Sequence, residues 1–295
     1  MNQTRSKVDL NRPLILDGGT GAELAVRGWQ LGSCLESWAN EHPEVVAGVH
    51  REFVEAGAGL VLTCTFGANR YRLGAYQRAG HVRELNRRSV EIAREAAGSS
   101  GALIAGDIGP SGERYEMLAE DRFSSATHAY AEQARALIEA GVDLLYVETM
   151  LSLGEAQAAL MACRRALDDL GVVLPVVVSL TFGDSLTLAD RVGPEEVYAA
   201  LRDEGADAIG CNCTPVGGAM VDLIQRMRTC GNLPLTAKPS AGIPRIVEGT
   251  ARYPLHPDDL ARLGKRLREA GASWVGGCCG ASPAHIRALA DALGA

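Results

Sequence analysis

The chain has 295 residues, 47% of them hydrophobic and 22% charged, the composition of a soluble globular protein. Its net charge of −7 and pI of about 5.5, with no basic patch or arginine run, argue against a nucleic-acid partner. The polar start from Met1 to Arg12 lacks the apolar core of a signal peptide, and no stretch is long enough to span a membrane, so a cytoplasmic location is expected.

Short apolar runs alternate with amphipathic stretches of helical period along the whole chain. The first run, 13–16, ends in Asp17-Gly18-Gly19-Thr20-Gly21. A helix is expected over 43–55, a strand over 59–65, a helix over 82–97 and a strand over 102–106. The pattern continues with helix 124–140, strand 142–148, helix 153–170, strand 175–181, helix 194–204 and strand 206–212. It ends with helix 221–229, strand 234–238, helix 258–270, strand 273–277 and helix 283–293. Several helices stop at a glycine that leads into the next strand, as in Gly141-Val142-Asp143 and Gly205-Ala206-Asp207. Eight such units favour a single (β/α)8 TIM barrel over 13–295, with 1–12 as a flexible N-terminal tail. A doubly wound open sheet is the alternative, although no Gly-x-Gly-x-x-Gly follows the first strand.

In such a barrel the chemistry sits at the C-terminal ends of the strands. The polar residues there are Asp17, Thr63, Thr65, Asp107, Glu148, Thr149, Thr181, Cys213, Lys238, Ser240, Cys278 and Cys279. The eight cysteines are read as core residues, metal ligands or catalytic thiols rather than as disulfides. Cys278-Cys279 alone could be small buried residues or a vicinal disulfide. With Cys213 at another strand end, three thiolates point to Zn2+ with one open position, a site that deprotonates an incoming thiol. Residues 211 and 213 share a side along a strand, and Cys213, nearer the mouth, is the preferred ligand. Asp17 could merely shape its turn and Glu148 merely cap a helix. Together they could also grip an ammonium group, while the N–H groups of Gly18 and Gly19 hold a carboxylate. A substrate with an amine, a carboxylate and a thiol is expected.

These stretches resemble the homocysteine S-methyltransferase family. The marks are Asp17-Gly18-Gly19, Thr63-Cys64-Thr65-Phe66, Glu148-Thr149, Gly210-Cys211-Asn212-Cys213 and Gly276-Gly277-Cys278-Cys279-Gly280. The resemblance implies a zinc-dependent barrel that methylates homocysteine to methionine, with Cys213, Cys278 and Cys279 as zinc ligands. It puts Asp17 and Glu148 on the amino-group contacts and Gly18, Gly19 and Thr63 on neighbouring substrate contacts. Gly106-Asp107-Ile108-Gly109-Pro110, Pro239-Ser240-Ala241-Gly242 and Gly280-Ala281-Ser282-Pro283 look most like the homocysteine module of cobalamin-dependent methionine synthases, where Asn is usual at Ser240. No folate or corrinoid domain is expected within this chain. The donor is then S-methylmethionine, S-adenosylmethionine or a separate methylated corrinoid protein. Betaine is disfavoured, because Gly67 and Thr149 stand where betaine-using relatives carry aromatic residues; Trp29, Trp38, Tyr71 and Tyr115 remain candidates for another cage. Two further readings are a selenol acceptor such as selenocysteine, and a non-catalytic zinc-stabilised thiol-binding barrel with Cys211 or Cys64 as fourth ligand.

Overall fold

The computed structural model of the protein describes residues 8–112, 120–214, 217–247 and 250–294. Strand β1 (Leu14–Ile15) leads through the short helices α1 (Thr20–Ala25) and α2 (Leu35–Glu41) to α3 (Pro43–Glu55). Then come β2 (Leu60–Leu62), α4 (Arg70–Gly74), α5 (Val82–Ala97), β3 (Leu103–Ile108) and α6 (Glu120–Ala140). The middle of the chain forms β4 (Leu144–Met150), α7 (Leu153–Leu170), β5 (Val176–Leu180), α8 (Pro194–Asp203), β6 (Ala208–Asn212) and α9 (Gly218–Thr229). Strand β7 (Leu235–Lys238) precedes a hairpin of β8 (Arg245–Val247) and β9 (Thr250–Arg252). Helix α10 (Pro257–Glu269), strand β10 (Trp274–Val275) and helix α11 (Pro283–Leu293) complete the order.

Eight strands pair in parallel in the order β1-β10-β7-β6-β5-β4-β3-β2. A parallel bridge between Leu16 and Leu60 joins the two outer strands and closes the barrel. The open-sheet alternative is thereby excluded.

Side-chain alternation makes two cores. Leu16, Leu60, Leu144, Tyr146, Val177 and Trp274 fill the barrel. Val61, Ile104, Leu145, Val178, Ile209 and Val275 pack outward against the helices.

The glycine-hydrophobic-aspartate stretches carry a second job. Gly141 and Gly205 take φ of 89° and 90° and end their helices in a conformation glycine adopts freely. The aspartates that follow pin the neighbouring strand. Asp143 Oδ2 accepts Ile104 N–H at 2.7 Å and Arg94 at 2.9 Å. Asp207 Oδ2 accepts Val176 N–H at 2.7 Å and Arg164 at 2.6 Å.

Two expectations change. Residues 8–12 are not a free tail: Val8 and Leu10 pack on the barrel interior, and Trp274 Nε1 donates to Arg12 O at 3.1 Å. The short helices α1, α2 and α4 and the β8–β9 hairpin were not foreseen. Each is too short to carry a full amphipathic period.

Candidate active site and metal centre

Strand β6 sends Asn212 into the barrel and Cys211 outward, where Cys211 is fully buried in the outer core. Continued alternation would send Cys213 outward too. Cys213 instead takes a left-handed conformation, φ 50°, which ends the strand and returns its side chain to the mouth. Such a conformation costs a non-glycine residue roughly 1–3 kcal/mol and concentrates at functional sites. The expectation that residues 211 and 213 share a side is corrected by this turn.

Cys278 and Cys279 leave β10 through Gly276 and Gly277. A Cβ on Gly276 would stand 2.5 Å from Leu16 Cβ, so the chain passes there only without a side chain. The turn is tied to the loop after β7: Cys278 N–H donates to Pro239 O and Ala241 N–H to Cys279 O, both at 2.8 Å.

The sulfurs of Cys213, Cys278 and Cys279 lie within 4.8 Å of one another. Cys213 and Cys278 are joined as a disulfide, with Cα atoms 5.8 Å apart, against the expectation that no cysteine is so paired. That separation lies inside the range of about 4.4–6.8 Å that a disulfide needs. Cys213 Sγ is 3.6 Å from Cys279 Sγ. Two sulfurs on one tetrahedral zinc, each about 2.3 Å from the ion, stand about 3.8 Å apart. The reduced trio therefore fits zinc, and the disulfide, which consumes two of the three donors, does not. No fourth cysteine joins this group among the described residues. Burial pushes the Cys211 and Cys163 thiols up to about 12 and Cys64 well above its ordinary range, where Glu36 and Asp107 add to the effect. Protonated thiols are poor ligands.

Beneath the sulfurs lies a buried charged floor. Asp17 is fully buried; its Oδ2 accepts Leu62 N–H at 2.7 Å and its Oδ1 lies 3.4 Å from Lys238 Nζ. Glu148 Oε2 lies 3.3 Å from the same nitrogen. The two carboxylates expected to grip a substrate ammonium thus already share one from the chain itself. Burial raises the Asp17 pKa to about 6, with Lys238 and the Leu62 N–H pulling it back. Burial would lower the Lys238 pKa, but Glu148 and Asp17 outweigh it and hold it above its ordinary value. Asp107, on β3, is the third carboxylate. It is 5% exposed, and its Oδ1 is buried without a hydrogen-bond partner among the described residues.

Thr63 and Thr65 form a directed chain. Thr65 Oγ1 donates to Asp107 O at 2.7 Å, because a carbonyl only accepts. Thr63 Oγ1, 2.7 Å from Thr65 Oγ1, must then donate to it, while accepting Asp107 N–H at 3.0 Å. The Thr63 hydroxyl has spent its proton and keeps one lone pair. Gly19 N–H is given to Ala281 O at 2.8 Å, against the expectation that it holds a carboxylate. Gly18 N–H donates to no described residue.

Asn212 ties three strand ends together. Its side-chain oxygen accepts from Thr149 N–H at 3.0 Å and Ser179 Oγ at 2.8 Å. Its amide donates to Thr149 Oγ1 at 2.7 Å and approaches Cys278 Sγ at 3.8 Å. Thr149 is itself left-handed, φ 63°. Asn212 was visible in the sequence only as the residue between two cysteines. Lys238 does carry a signal in the sequence: it is one of three lysines beside 26 arginines, and it ends a buried strand.

A cavity of about 620 Å³ opens over these groups. Gly18, Gly19, Thr63, Asp107, Glu148 and Lys238 line it with the three cysteines; Asp17 lies behind them. Its outer wall is apolar and aromatic, with Val26, Trp29, Leu31, Leu35, Phe66 and Tyr253. Of the other cage candidates, Trp38 stacks on His42 at 4.3 Å, Tyr71 sits on α4, and Tyr115 lies outside the described residues.

A (β/α)8 barrel with three cysteines converging at its mouth defines a class of thiol-handling enzymes. The profile of the homocysteine S-methyltransferase family matches residues 14–293. The chain belongs to that family. It is 34% identical to a methionine synthase of Mycobacterium leprae over 99% of its length, covering 26% of that protein. To a methionine synthase of Mycobacterium tuberculosis it is 33% identical over 96% of its length, covering 25%. The chain thus spans about a quarter of these relatives. The homocysteine methyltransferase MmuM from Escherichia coli, in its metallated form, superposes with a TM-score of 0.78 at 27% identity, covering 94% of this chain and 95% of that one. Its oxidised form gives 0.79 at the same identity, covering 95% of each chain.

Proposed function

We propose that the protein methylates the thiol of homocysteine to give methionine, with a zinc ion held by Cys213, Cys278 and Cys279. The observation that carries this reading is the convergence of three sulfurs within 4.8 Å over a buried acidic floor. Zinc, when bound, lowers the pKa of a thiol that enters its open position. The chain's own residues supply the rest. Glu148, on the cavity wall, and Asp17, behind it, set the negative field that receives the amine. The Gly18 N–H is free for the carboxylate, and Thr63 offers an acceptor beside the amine. Asn212 orients Cys278 through its amide. The disulfide is the oxidised state of the same site, so the working state requires reduction of Cys213 and Cys278 and suits a reducing cytoplasm.

For the donor we propose a small sulfonium, S-methylmethionine or S-adenosylmethionine. A methyl sulfonium carries positive charge, and aromatic rings suit a cation; Trp29 and Tyr253 line the outer wall with Phe66, whose ring already carries Arg72 at 5.6 Å. A volume of about 620 Å³ is within the range of small-molecule sites. The likeness to a quarter of two methionine synthases favours a second donor reading, a methylated corrinoid brought by a separate protein.

The test is methionine formation by the reduced, zinc-loaded protein from homocysteine with S-methylmethionine as sole donor. Turnover that disappears in Cys213→Ser is expected. Absence of turnover, in protein that holds both zinc and homocysteine, would move the assignment to the corrinoid donor.

A further inference from the structure

We infer that Asp107 is the direct anchor for the substrate's ammonium group, in a corner built only of acceptors: Asp107, Glu148 and the Thr63 hydroxyl. The inference rests on the reading of the substrate as an amino-acid thiol, and it goes further by naming which groups the amine meets. Four observations carry it.

The first is that the expected partner is taken. Asp17 is fully buried and absent from the cavity lining; its Oδ2 accepts the Leu62 N–H, and its Oδ1, without a hydrogen bond among the described residues, lies 3.4 Å from Lys238 Nζ. It acts on a ligand through Lys238 rather than by contact. The second is the orphan atom. Asp107 lines the cavity, is 5% exposed, and keeps Oδ1 away from solvent and without a hydrogen-bond partner among the described residues. A buried carboxylate oxygen without a donor is costly, and a ligand N–H removes that cost.

The third is the direction of the threonine chain. Thr63 has given its proton to Thr65 and can only accept. An ammonium has three N–H bonds to give and nothing to accept with. Asp107 Oδ1, a Glu148 oxygen and the Thr63 lone pair match that demand, and the Asp107 N–H bond to Thr63 Oγ1 at 3.0 Å keeps two of them together. The fourth is charge. Three carboxyl groups, Asp17, Asp107 and Glu148, share one ammonium, that of Lys238; burial holds the Asp107 pKa well above its ordinary range, with Glu148 adding and Lys238 opposing, and an entering cation would favour its ionised form. The Lys238 ion pairs go to Asp17 and Glu148, and among the described residues Asp107 has none, so Asp107 is the carboxyl group left to take that cation.

The experiment compares two thiols on the reduced, zinc-loaded protein by calorimetry: L-homocysteine, and 4-mercaptobutanoate, which lacks the amine. Asp107→Asn is expected to weaken L-homocysteine by about tenfold or more, the loss of a charge-assisted bond, and to leave 4-mercaptobutanoate within about twofold. Zinc content is measured alongside and should not change. An unchanged ratio of the two affinities in Asp107→Asn would overturn the inference while leaving homocysteine as substrate. Wild-type protein that holds zinc but binds no homocysteine would overturn both. Should Asp107→Asn not fold, a crystal structure of the wild-type complex decides. The substrate nitrogen is expected within about 3.2 Å of Asp107 Oδ1; a nitrogen bound instead to Asp17 with Lys238 displaced contradicts the inference.

Discussion

Single residues decide what this mouth can hold, one through backbone geometry and one through charge. Cys213 reaches the other sulfurs because its left-handed turn overrides strand alternation. Spacing alone marks residue 213 as close to the mouth, but it assigns the side chain to the wrong side. That conformation depends on neighbours that no local pattern names. Lys238 shows the same limit for charge. A lysine at a strand end is legible, yet its ion pairs with Asp17 and Glu148 depend on strands β1, β4 and β7 meeting around the barrel. The pairing has a direct consequence. Lys238→Met removes the internal cation and leaves Asp17 and Glu148 without their ion-pair partner, so unfolding free energy should fall by about 3–5 kcal/mol. Denaturant titration at neutral pH measures it. Unchanged stability would mean that the carboxylates are neutral without the lysine.

Among the elements, the long ones were legible and the short ones were not. Helices α3, α5, α7 and α11 and the buried parallel strands carry enough period to be read from the chain. The pieces that line the cavity's outer wall do not. Val26, Trp29, Leu31 and Leu35 lie on or beside α1 and α2, six and seven residues long, and Tyr253 follows the hairpin. The strand-end residues of the cavity floor are therefore more legible in the sequence than its outer wall.

Helix α3 carries one residue whose burial has a measurable price in pH. His50 is fully buried, and neither ring nitrogen has a hydrogen-bond partner among the described residues. Burial lowers its pKa to about 4, against an ordinary value of about 6.5. The fold holds the neutral ring, so this contribution is whole above about pH 6.5 and is lost as pH falls through about 4. Asp17, raised to about 6, works in the opposite sense and masks the slope in the wild type. The difference between wild type and His50→Leu isolates it. Wild-type unfolding free energy, relative to the variant, should rise by roughly 2 kcal/mol between pH 5 and pH 7. A difference independent of pH would show that His50 finds a proton partner in the folded protein.

At the scale of the whole molecule, closure of the barrel turns scattered motifs into one site. The Leu16–Leu60 bridge brings Asp17 beside β2, and β10 lies between β1 and β7. The cysteines of β6 and β10 meet across β7, whose loop is hydrogen-bonded to the Cys278-Cys279 turn. The same architecture bears on which kind of site the proposed zinc would occupy. A structural site would close with four protein sulfurs, whereas a methyltransferase must keep one position for substrate. Cys211 faces the outer core and Cys64 is a strongly buried thiol, so no fourth cysteine completes the group.

Zinc K-edge X-ray absorption on the reduced, zinc-loaded protein reads this difference directly. Three sulfurs and one lighter ligand are expected in the resting protein, and four sulfurs once homocysteine is added. Four sulfurs before homocysteine, unchanged by its addition, would contradict the account and identify a closed structural site.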